Sequence, residues 1–154
     1  MENFFDLDRF LPFRLNRAAE AVSLRFAEHY KRMHGMTRPE WRTLAALGAY
    51  RSLTATQIGG HSGMHKTKVS RAVFALEKRR WLRRREDASN RRIEHLELTA
   101  LGVRTYQELS SAALEYQAEL QRAMGPELMS AIELGLAAIE SRFVDPSALA
   151  GGSP

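Results

Sequence analysis

The chain has 154 residues, of which 44% are hydrophobic and 27% are charged, as expected for a globular protein and not for a disordered one. At about 100–200 residues per domain, this length predicts a single domain over residues 1–154. The sequence contains no cysteine, which excludes disulfides, thiolate metal sites and thiol redox chemistry. It has no apolar run of the roughly 18 residues that cross a membrane and no signal-peptide pattern at its start. We therefore expect a cytoplasmic protein with no membrane partner.

The positive charge of the chain is concentrated in one segment. The 23 Lys and Arg residues exceed the 18 Asp and Glu residues, so the net charge is +5. Residues 61–95 hold eleven basic and four acidic residues, a net charge of +7, whereas the rest of the chain carries −2. A solvated helix face usually mixes both signs, so this distribution favours contact with a polyanion.

Two amphipathic helices are predicted before the basic segment. Apolar residues at steps of three and four predict the first helix over about residues 11–33, and Gly35 is typical of a residue just past a helix end. Thr37 and Pro39 then mark the start of a second helix, which runs to about Ala49.

A helix-turn-helix is predicted next. Thr54 and Gln57 have the spacing of a capping box, which opens a short helix that the Gly59-Gly60 pair is expected to end. After a turn at residues 61–64, a longer helix extends over about residues 65–80, with its apolar residues on one side.

The longer helix presents a polar face that suits a DNA groove. Lys and Arg can pair with guanine edges or phosphates, and Ser and Thr can contact bases or backbone. Phe74 interrupts this face, and we expect it to lie too far along the helix to reach the bases and to pack against the following hairpin. An ordinary charged surface helix is the alternative interpretation. The predicted DNA contacts of the helix-turn-helix are Thr54, Ser62, His65, Lys66, Thr67, Lys68, Ser70 and Arg71.

A β-hairpin is predicted after the helix-turn-helix. Two short runs, residues 82–85 and 93–98, flank the turn-forming residues 87–90. The pair Arg91 and Arg92 lies at the tip of this arm, and guanidinium groups are attracted to the negative potential of the minor groove. Arg84, with an arginine on each side, is placed to contact phosphates.

Several stretches resemble the DNA-binding core of MarR-type regulators. Asn90 departs from the family pattern, because the family commonly has there an acid that orients the neighbouring Arg. An amide can accept the same hydrogen bond but without the assistance of charge. The resemblance covers about residues 10–143 and is carried by residues 39–41, 54–58, 64–71, 76–82, 87–92 and 96–102.

This resemblance implies a mainly α fold with a small β-hairpin wing. It implies a winged helix-turn-helix lobe at about 38–99, dimerisation helices at about 10–34 and 100–144, and a flexible tail at 146–154. Two lobes of a homodimer would read a palindrome in double-stranded DNA. The apolar stripes of the terminal helices also favour a homodimer, because they are longer than one lobe needs. The alternative is that these stripes are all intramolecular core.

The resemblance also implies a small-molecule effector between the lobe and the terminal helices. An Arg beside aromatic side chains suits a carboxylate on an aromatic ring. Residues 11–17 are similar to members that respond to aromatic acids or their CoA thioesters. Plain core is the alternative for Trp41, and surface or interface charge is the alternative for Arg14 and Arg17. The candidate pocket residues are Arg14, Arg17, His29, Trp41 and Arg42.

No catalytic residue, metal site or cofactor is predicted. The histidines lack the spacing of metal ligands, and no nucleophile elbow, phosphate loop or dinucleotide motif occurs. The leading hypothesis is a ligand-responsive repressor that binds a palindromic operator as a homodimer. The alternatives are a non-specific architectural DNA-binding protein and an interaction module for an acidic partner.

Overall fold

The computed structural model describes residues 4–149 and places helices around a three-stranded antiparallel sheet. A short 3-10 turn, Leu7–Arg9, precedes the first helix. The helices and the small sheet confirm the predicted mainly α fold with a β-hairpin wing. The further elements in chain order are α1 (Leu11–His34), α2 (Arg38–Tyr50), β1 (Ser52–Leu53), α3 (Ala55–Ser62), α4 (Lys66–Lys78), β2 (Leu82–Glu86), β3 (Glu94–Leu98), α5 (Ala100–Met124), α6 (Pro126–Phe143) and α7 (Pro146–Leu149).

Local signals place several helix ends where the sequence predicts them. Gly35 follows α1 in the left-handed conformation, with φ 60°, and the Thr37 side chain caps α2 by accepting from the backbone N–H of Glu40. Thr54 and Gln57 form the predicted capping box, in which each side chain accepts from the other's backbone N–H, at 3.2 and 2.8 Å.

The end of α3 differs from the prediction. The helix runs through the Gly59-Gly60 pair and ends at Ser62, and Gly63 follows it in the left-handed conformation with φ 63°. Glycine weakens a helix interior by about 1 kcal/mol relative to alanine. A Cβ at Gly59 would lie 3.1 Å from the carbonyl oxygen of Met64 and 3.7 Å from the Val69 side chain. Close packing of α3 on α4 therefore explains a glycine inside the helix.

The wing is an antiparallel hairpin of β2 and β3, as predicted. The two-residue strand β1, which was not predicted, pairs with the other edge of β3. Leu53 lies opposite Leu96, and Leu82 lies opposite Leu98. This register turns leucines of all three strands to one face of the sheet, where Leu53, Leu82 and Leu96 are buried.

The hydrophobic core is centred on the lobe and extends to buried residues of α1 and α5. Leu44, Leu53, Ile58, Leu76 and Leu96 are at most 2% exposed. These residues come from α2, β1, α3, α4 and β3, so every element of the lobe except β2 contributes to this innermost layer.

The long helices α1 and α5 join the lobe at one end. Gly102, in the first turn of α5, has no room for a side chain because the backbone of Trp81 lies against it. Further along α5, the hydroxyl of Tyr116 donates to the carbonyl oxygen of Val22 on α1, at 2.7 Å. The lobe and the two long helices are thus held in direct contact.

The C-terminal elements are less enclosed. No residue of α6 is buried, and Leu128, Leu134 and Phe143 are each at least 60% exposed. Of the predicted flexible tail, residues 146–149 form the helical turn α7, and residues 150–154 lie outside the described part of the chain. No helix within residues 4–149 combines the length and the apolar character needed to cross a membrane.

Candidate nucleic-acid interface

The polar face of α4 is exposed to solvent. Val69, Val73 and Leu76 are buried on its other side. Phe74 also lies on the exposed face, so the prediction that it packs against the hairpin is wrong. The exposed polar residues are Lys66, Thr67, Lys68, Ser70 and Arg71. None of the ion pairs among the described residues involves the three cations of this set.

The other helix-turn-helix residues predicted to contact DNA lie around α3. Thr54 caps the start of α3 and uses its hydroxyl to accept from Gln57. The hydroxyl of Ser62, at the end of α3, donates to the carbonyl oxygen of Ile58 at 2.5 Å. His65 is exposed immediately before α4. Thr54 and Ser62 therefore stabilise the motif, whereas His65 is open to a ligand.

The arginines of the wing fall into two groups. Arg83 and Arg85 both donate to the carboxylate of Glu97, at 3.0 and 2.9 Å. The hydrogen bond from Arg85, more than that from Arg83, lowers the pKa of Glu97. Arg91 and Arg92, at the turn, are exposed and take part in none of the ion pairs formed within residues 4–149. The turn thus carries the positive charge that is available to a polyanion.

Arg84 connects the wing to α4. Its guanidinium lies 3.2 Å from Glu77 of α4 and 2.8 Å from Glu94 of β3. The hydrogen bond to Glu94 is the main cause of the raised pKa of Arg84. Two carboxylates would compete with a phosphate for this side chain, and the phosphate contact of Arg84 stays a prediction.

The turn of the wing is shaped by Asp87 and Asn90. One oxygen of Asp87 accepts from the backbone N–H and hydroxyl of Ser89 and from the N–H of Asn90, while the other lies 2.8 Å from Nε2 of His95. The bond from the Ser89 hydroxyl, followed by that of His95, holds the pKa of Asp87 well below its usual range. Asn90 Oδ1 accepts from the backbone N–H of Arg92 at 3.0 Å. Asn90 therefore shapes the backbone of the turn instead of holding a guanidinium.

Arg79, just past the end of α4, fixes the direction of that helix. Its guanidinium donates to the carbonyl oxygens of His34 and Gly35 at the end of α1, at 2.6 and 3.1 Å. It also lies 3.4 Å from Glu40 and 4.8 Å from the ring centre of Trp81. A cation suits a helix C-terminus because the last carbonyl groups have no partner within the helix. The basic run 78–80 predicted charge here but not this contact between α1 and α4.

A cavity of about 270 Å³ lies between α1, α2 and α5. The ring of Phe26 is 5.3 Å from that of Trp41 and 5.6 Å from that of Tyr116, and Tyr30 stacks on Trp41 at 5.9 Å. Arg38 and Arg42 also line the cavity. It therefore offers aromatic walls and positive charge.

The cavity is lined by two of the five predicted pocket residues, Trp41 and Arg42. His29 is not among the lining residues, and its ring centre lies 5.4 Å from that of Phe26. Arg14 and Arg17 precede Val22, the first residue of α1 that borders the cavity, by eight and five residues, and Arg17 is ion-paired with an aspartate instead. Phe26, Tyr30 and Tyr116 were missed because their helical spacing is that of ordinary core residues.

The lobe of this chain is similar in sequence to a known protein family. Residues 34–93, which include the helix-turn-helix and most of the wing, match the family model described as the MarR family. This part of the chain therefore matches the MarR family of winged helix-turn-helix proteins. Solved structures that match the chain are described as transcriptional regulators, in agreement with the prediction that it is not an enzyme.

Several solved structures share the fold over most of their length. A regulator from Silicibacter pomeroyi DSS-3 is 26% identical, with 79% of this chain and 85% of that one covered and a TM-score of 0.69. NadR in complex with 4-hydroxyphenylacetate is 20% identical, with coverage of 90% and 95% and a TM-score of 0.72. BpsR of Bordetella bronchiseptica, whose DNA binding is described as regulated by 6-hydroxynicotinic acid, is 17% identical, with coverage of 90% and 98% and a TM-score of 0.77. No curated protein matches the sequence.

The two arginines of the cavity differ in their partners. Arg38 forms a two-pronged pair with Glu20, at 2.7 and 3.0 Å, and this hydrogen bond raises the pKa of Arg38. Arg42 donates to the carbonyl oxygen of Ser62 at the end of α3, at 3.4 Å. Within residues 4–149, Arg42 is therefore the cavity arginine that has no carboxylate partner.

Proposed function

We propose that this protein is a MarR-type regulator, a cytoplasmic repressor that binds a palindromic operator as a homodimer and is released by a small aromatic acid. The DNA-binding proposal rests on one observation, that some basic residues of the lobe are paired with carboxylates and others are not. The strand arginines of the wing are neutralised by carboxylates, whereas the cations of α4 and of the wing turn are exposed and unpaired among the described residues.

The exposed cations support contacts with both grooves of DNA. In the proposed complex α4 enters the major groove, where Lys66 and Arg71 can donate to guanine edges. Arg91 and Arg92 reach the adjacent minor groove, and the bonds of Asp87 and Asn90 hold the turn that carries them.

The exposed apolar residues of α6 support the homodimer. A helix with no buried residue and with Leu128, Leu134 and Phe143 open to water needs a second surface. A second copy of the chain supplies the same kind of surface by two-fold symmetry, and such obligate interfaces are apolar. The dimer would set its two α4 helices in successive major grooves, roughly 34–36 Å apart.

Arg42 and the rings around it support an aromatic acid as effector. A carboxylate could pair with Arg42 while its ring packs against Trp41 and Tyr116. The cavity of about 270 Å³ suits one ring with a short acidic group, so a CoA thioester would have to leave its nucleotide outside. NadR and BpsR, which share the fold, are described with aromatic acids of this size. Because Arg42 also donates to the Ser62 carbonyl, binding would loosen the end of α3 and weaken DNA binding.

The DNA-binding proposal is tested by selecting duplexes from a random pool and measuring their affinity over a series of salt concentrations. The selected site should exceed random DNA by about a thousandfold or more. Arg71→Ala should reduce this ratio, whereas the control Arg122→Ala, an exposed arginine near the end of α5, should leave it unchanged. Equal affinity for all duplexes would instead support a non-specific DNA-binding protein, and no DNA binding at low salt would support a module for an acidic partner.

The effector proposal is tested by thermal unfolding with 4-hydroxyphenylacetate, 6-hydroxynicotinate and the methyl ester of the first acid. A ligand that binds only the folded protein raises its unfolding temperature. The acids should stabilise the wild-type chain and should weaken its binding to the selected duplex. Stabilisation by the ester, or full stabilisation of Arg42→Gln, would show that Arg42 does not bind the carboxylate.

A further inference from the structure

Phe74 is an exposed aromatic residue on the face of α4 that we propose to contact DNA. Its side chain is 65% exposed, although it lies on a helix whose other side is closely packed. The hairpin packs on that other side, where Leu82 and Leu96 join the core with Val73 and Leu76. Phe74 therefore contributes nothing to this core and leaves a large apolar surface in water.

The neighbours of Phe74 on this face are the residues expected to read bases. Phe74 follows Ser70 by four residues and Arg71 by three, so the three side chains are adjacent on one helix surface. The next residue on this face, one turn further on, is the exposed Lys78. One helical turn advances about 5.4 Å, which is between one and two base pairs at roughly 3.4 Å each. In the proposed complex, and contrary to the expectation from sequence, Phe74 would therefore reach the base pairs next to those that Arg71 contacts.

The chemistry of a phenyl ring restricts what it can recognise in the major groove. The ring has no hydrogen-bond donor or acceptor, so it gains nothing from the polar edges of guanine, adenine or cytosine. Thymine is the base that presents an apolar group in this groove, its 5-methyl group. We infer that Phe74 contacts the 5-methyl group of a thymine in each half of the operator and determines specificity at that position. The inference rests on the proposed DNA-binding function.

The test uses the full-length protein and the operator selected as described above. Each thymine of one half-site is replaced in turn by deoxyuridine, which lacks only the methyl group, and the dissociation constant is measured by fluorescence anisotropy. One replacement should weaken wild-type binding about fourfold, the effect expected from one buried methyl-sized group. Phe74→Ala should bind the thymine and deoxyuridine duplexes equally at that position. Phe74→Leu, which keeps an apolar side chain, should retain part of the difference.

Lys78→Ala is the matched control on the same face. It should bind all duplexes more weakly and should keep the wild-type response to deoxyuridine. Because Phe74 is exposed, Phe74→Ala should unfold at the wild-type temperature. If Phe74→Ala is destabilised, the deoxyuridine test is made with Phe74→Leu.

The inference is overturned if no single replacement affects the wild-type protein, if the half-site contains no thymine, or if Phe74→Ala responds like the wild type. In these cases specific DNA binding stands and Phe74 has no part in it. A wild-type protein that selects no sequence would contradict the proposed function and this inference together.

Discussion

The winged lobe and α6 use apolar residues in opposite ways. In the lobe, Leu44, Ile58 and Leu76 are completely buried, and they meet side chains from several elements of the same chain. In α6, Leu134 is 75% exposed and Phe143 is 81% exposed, and no residue of the helix is buried. The lobe therefore completes its core within one chain, whereas α6 does not.

This difference separates two sources of stability. An isolated helix of fewer than about 12–15 residues is marginal in water, and longer ones still gain most of their stability from packing an apolar face. The 18-residue α6 has only a small part of this packing within its own chain. We therefore expect the stability of the lobe to be independent of protein concentration and that of α6 to depend on association with a second copy.

The largest effect is expected from a truncation in the core of the lobe. Leu76→Ala removes a fully buried side chain and should lower the free energy of unfolding by about 2–5 kcal/mol, at every protein concentration. The control Phe74→Ala alters the exposed side of the same helix and should change it by less than about 0.5 kcal/mol. Urea unfolding followed by circular dichroism measures both. Similar costs for the two variants would contradict the distinction between the two faces of α4.

A charge on α6 should break association and spare the lobe. Leu134→Glu would bury a carboxylate in the proposed dimer, at a cost of about 3 kcal/mol or more, which weakens association at least about a hundredfold. Sedimentation velocity should show monomers where the wild type is dimeric, with the lobe still unfolding cooperatively. Leu134→Met, which stays apolar, should remain dimeric. A dimer that tolerates Leu134→Glu would exclude this part of α6 from the interface.

Much of the lobe could be predicted from its sequence because its signals are local. The capping box of Thr54 and Gln57 and the left-handed Gly35 act within a few residues of their own helices. The strand β1 was missed because two residues have no periodicity, and it exists only through its pairing with β3. The helix through Gly59 was missed because its packing partner, Val69, is distant in sequence.

The sequence predicted which residues of the candidate site are exposed but not which partners its arginines bind. Helical periodicity placed Lys66 and Arg71 on an open face, and both are exposed. Periodicity could not show that Arg84 is held by two glutamates, one on α4 and one on the opposite strand, because that depends on the register of the hairpin. In the same way, Glu20 on α1 decides that Arg38 is paired and that Arg42 is the freer cation of the cavity.

A smaller effect is expected where the lobe meets α1. Arg79→Met keeps an unbranched stem beside Trp81 and removes the donors to His34 and Gly35, at a cost of about 1–2 kcal/mol in the free energy of unfolding. Lys78→Met, an exposed neighbour, is the control and should cost much less. Equal costs in urea unfolding would show that the bonds of Arg79 do not stabilise the junction.

The smallest effect concerns the wing turn, which is held by polar bonds and not by buried apolar surface. The bonds to Asp87 keep its pKa in the folded chain below its value of about 3.9 in an unfolded chain. A lowered folded pKa means that this stabilisation is fully present above the unfolded pKa and is lost as the pH falls through the folded one. Acid should therefore loosen the turn only below about pH 4.

A carboxyl titration by NMR should find Asp87 still ionised at about pH 4. Ser89→Ala removes the strongest of the bonds to Asp87 and should raise the pKa of Asp87. An Asp87 that titrates like an unfolded aspartate, or does not respond to Ser89→Ala, would show that these bonds do not hold the turn in solution.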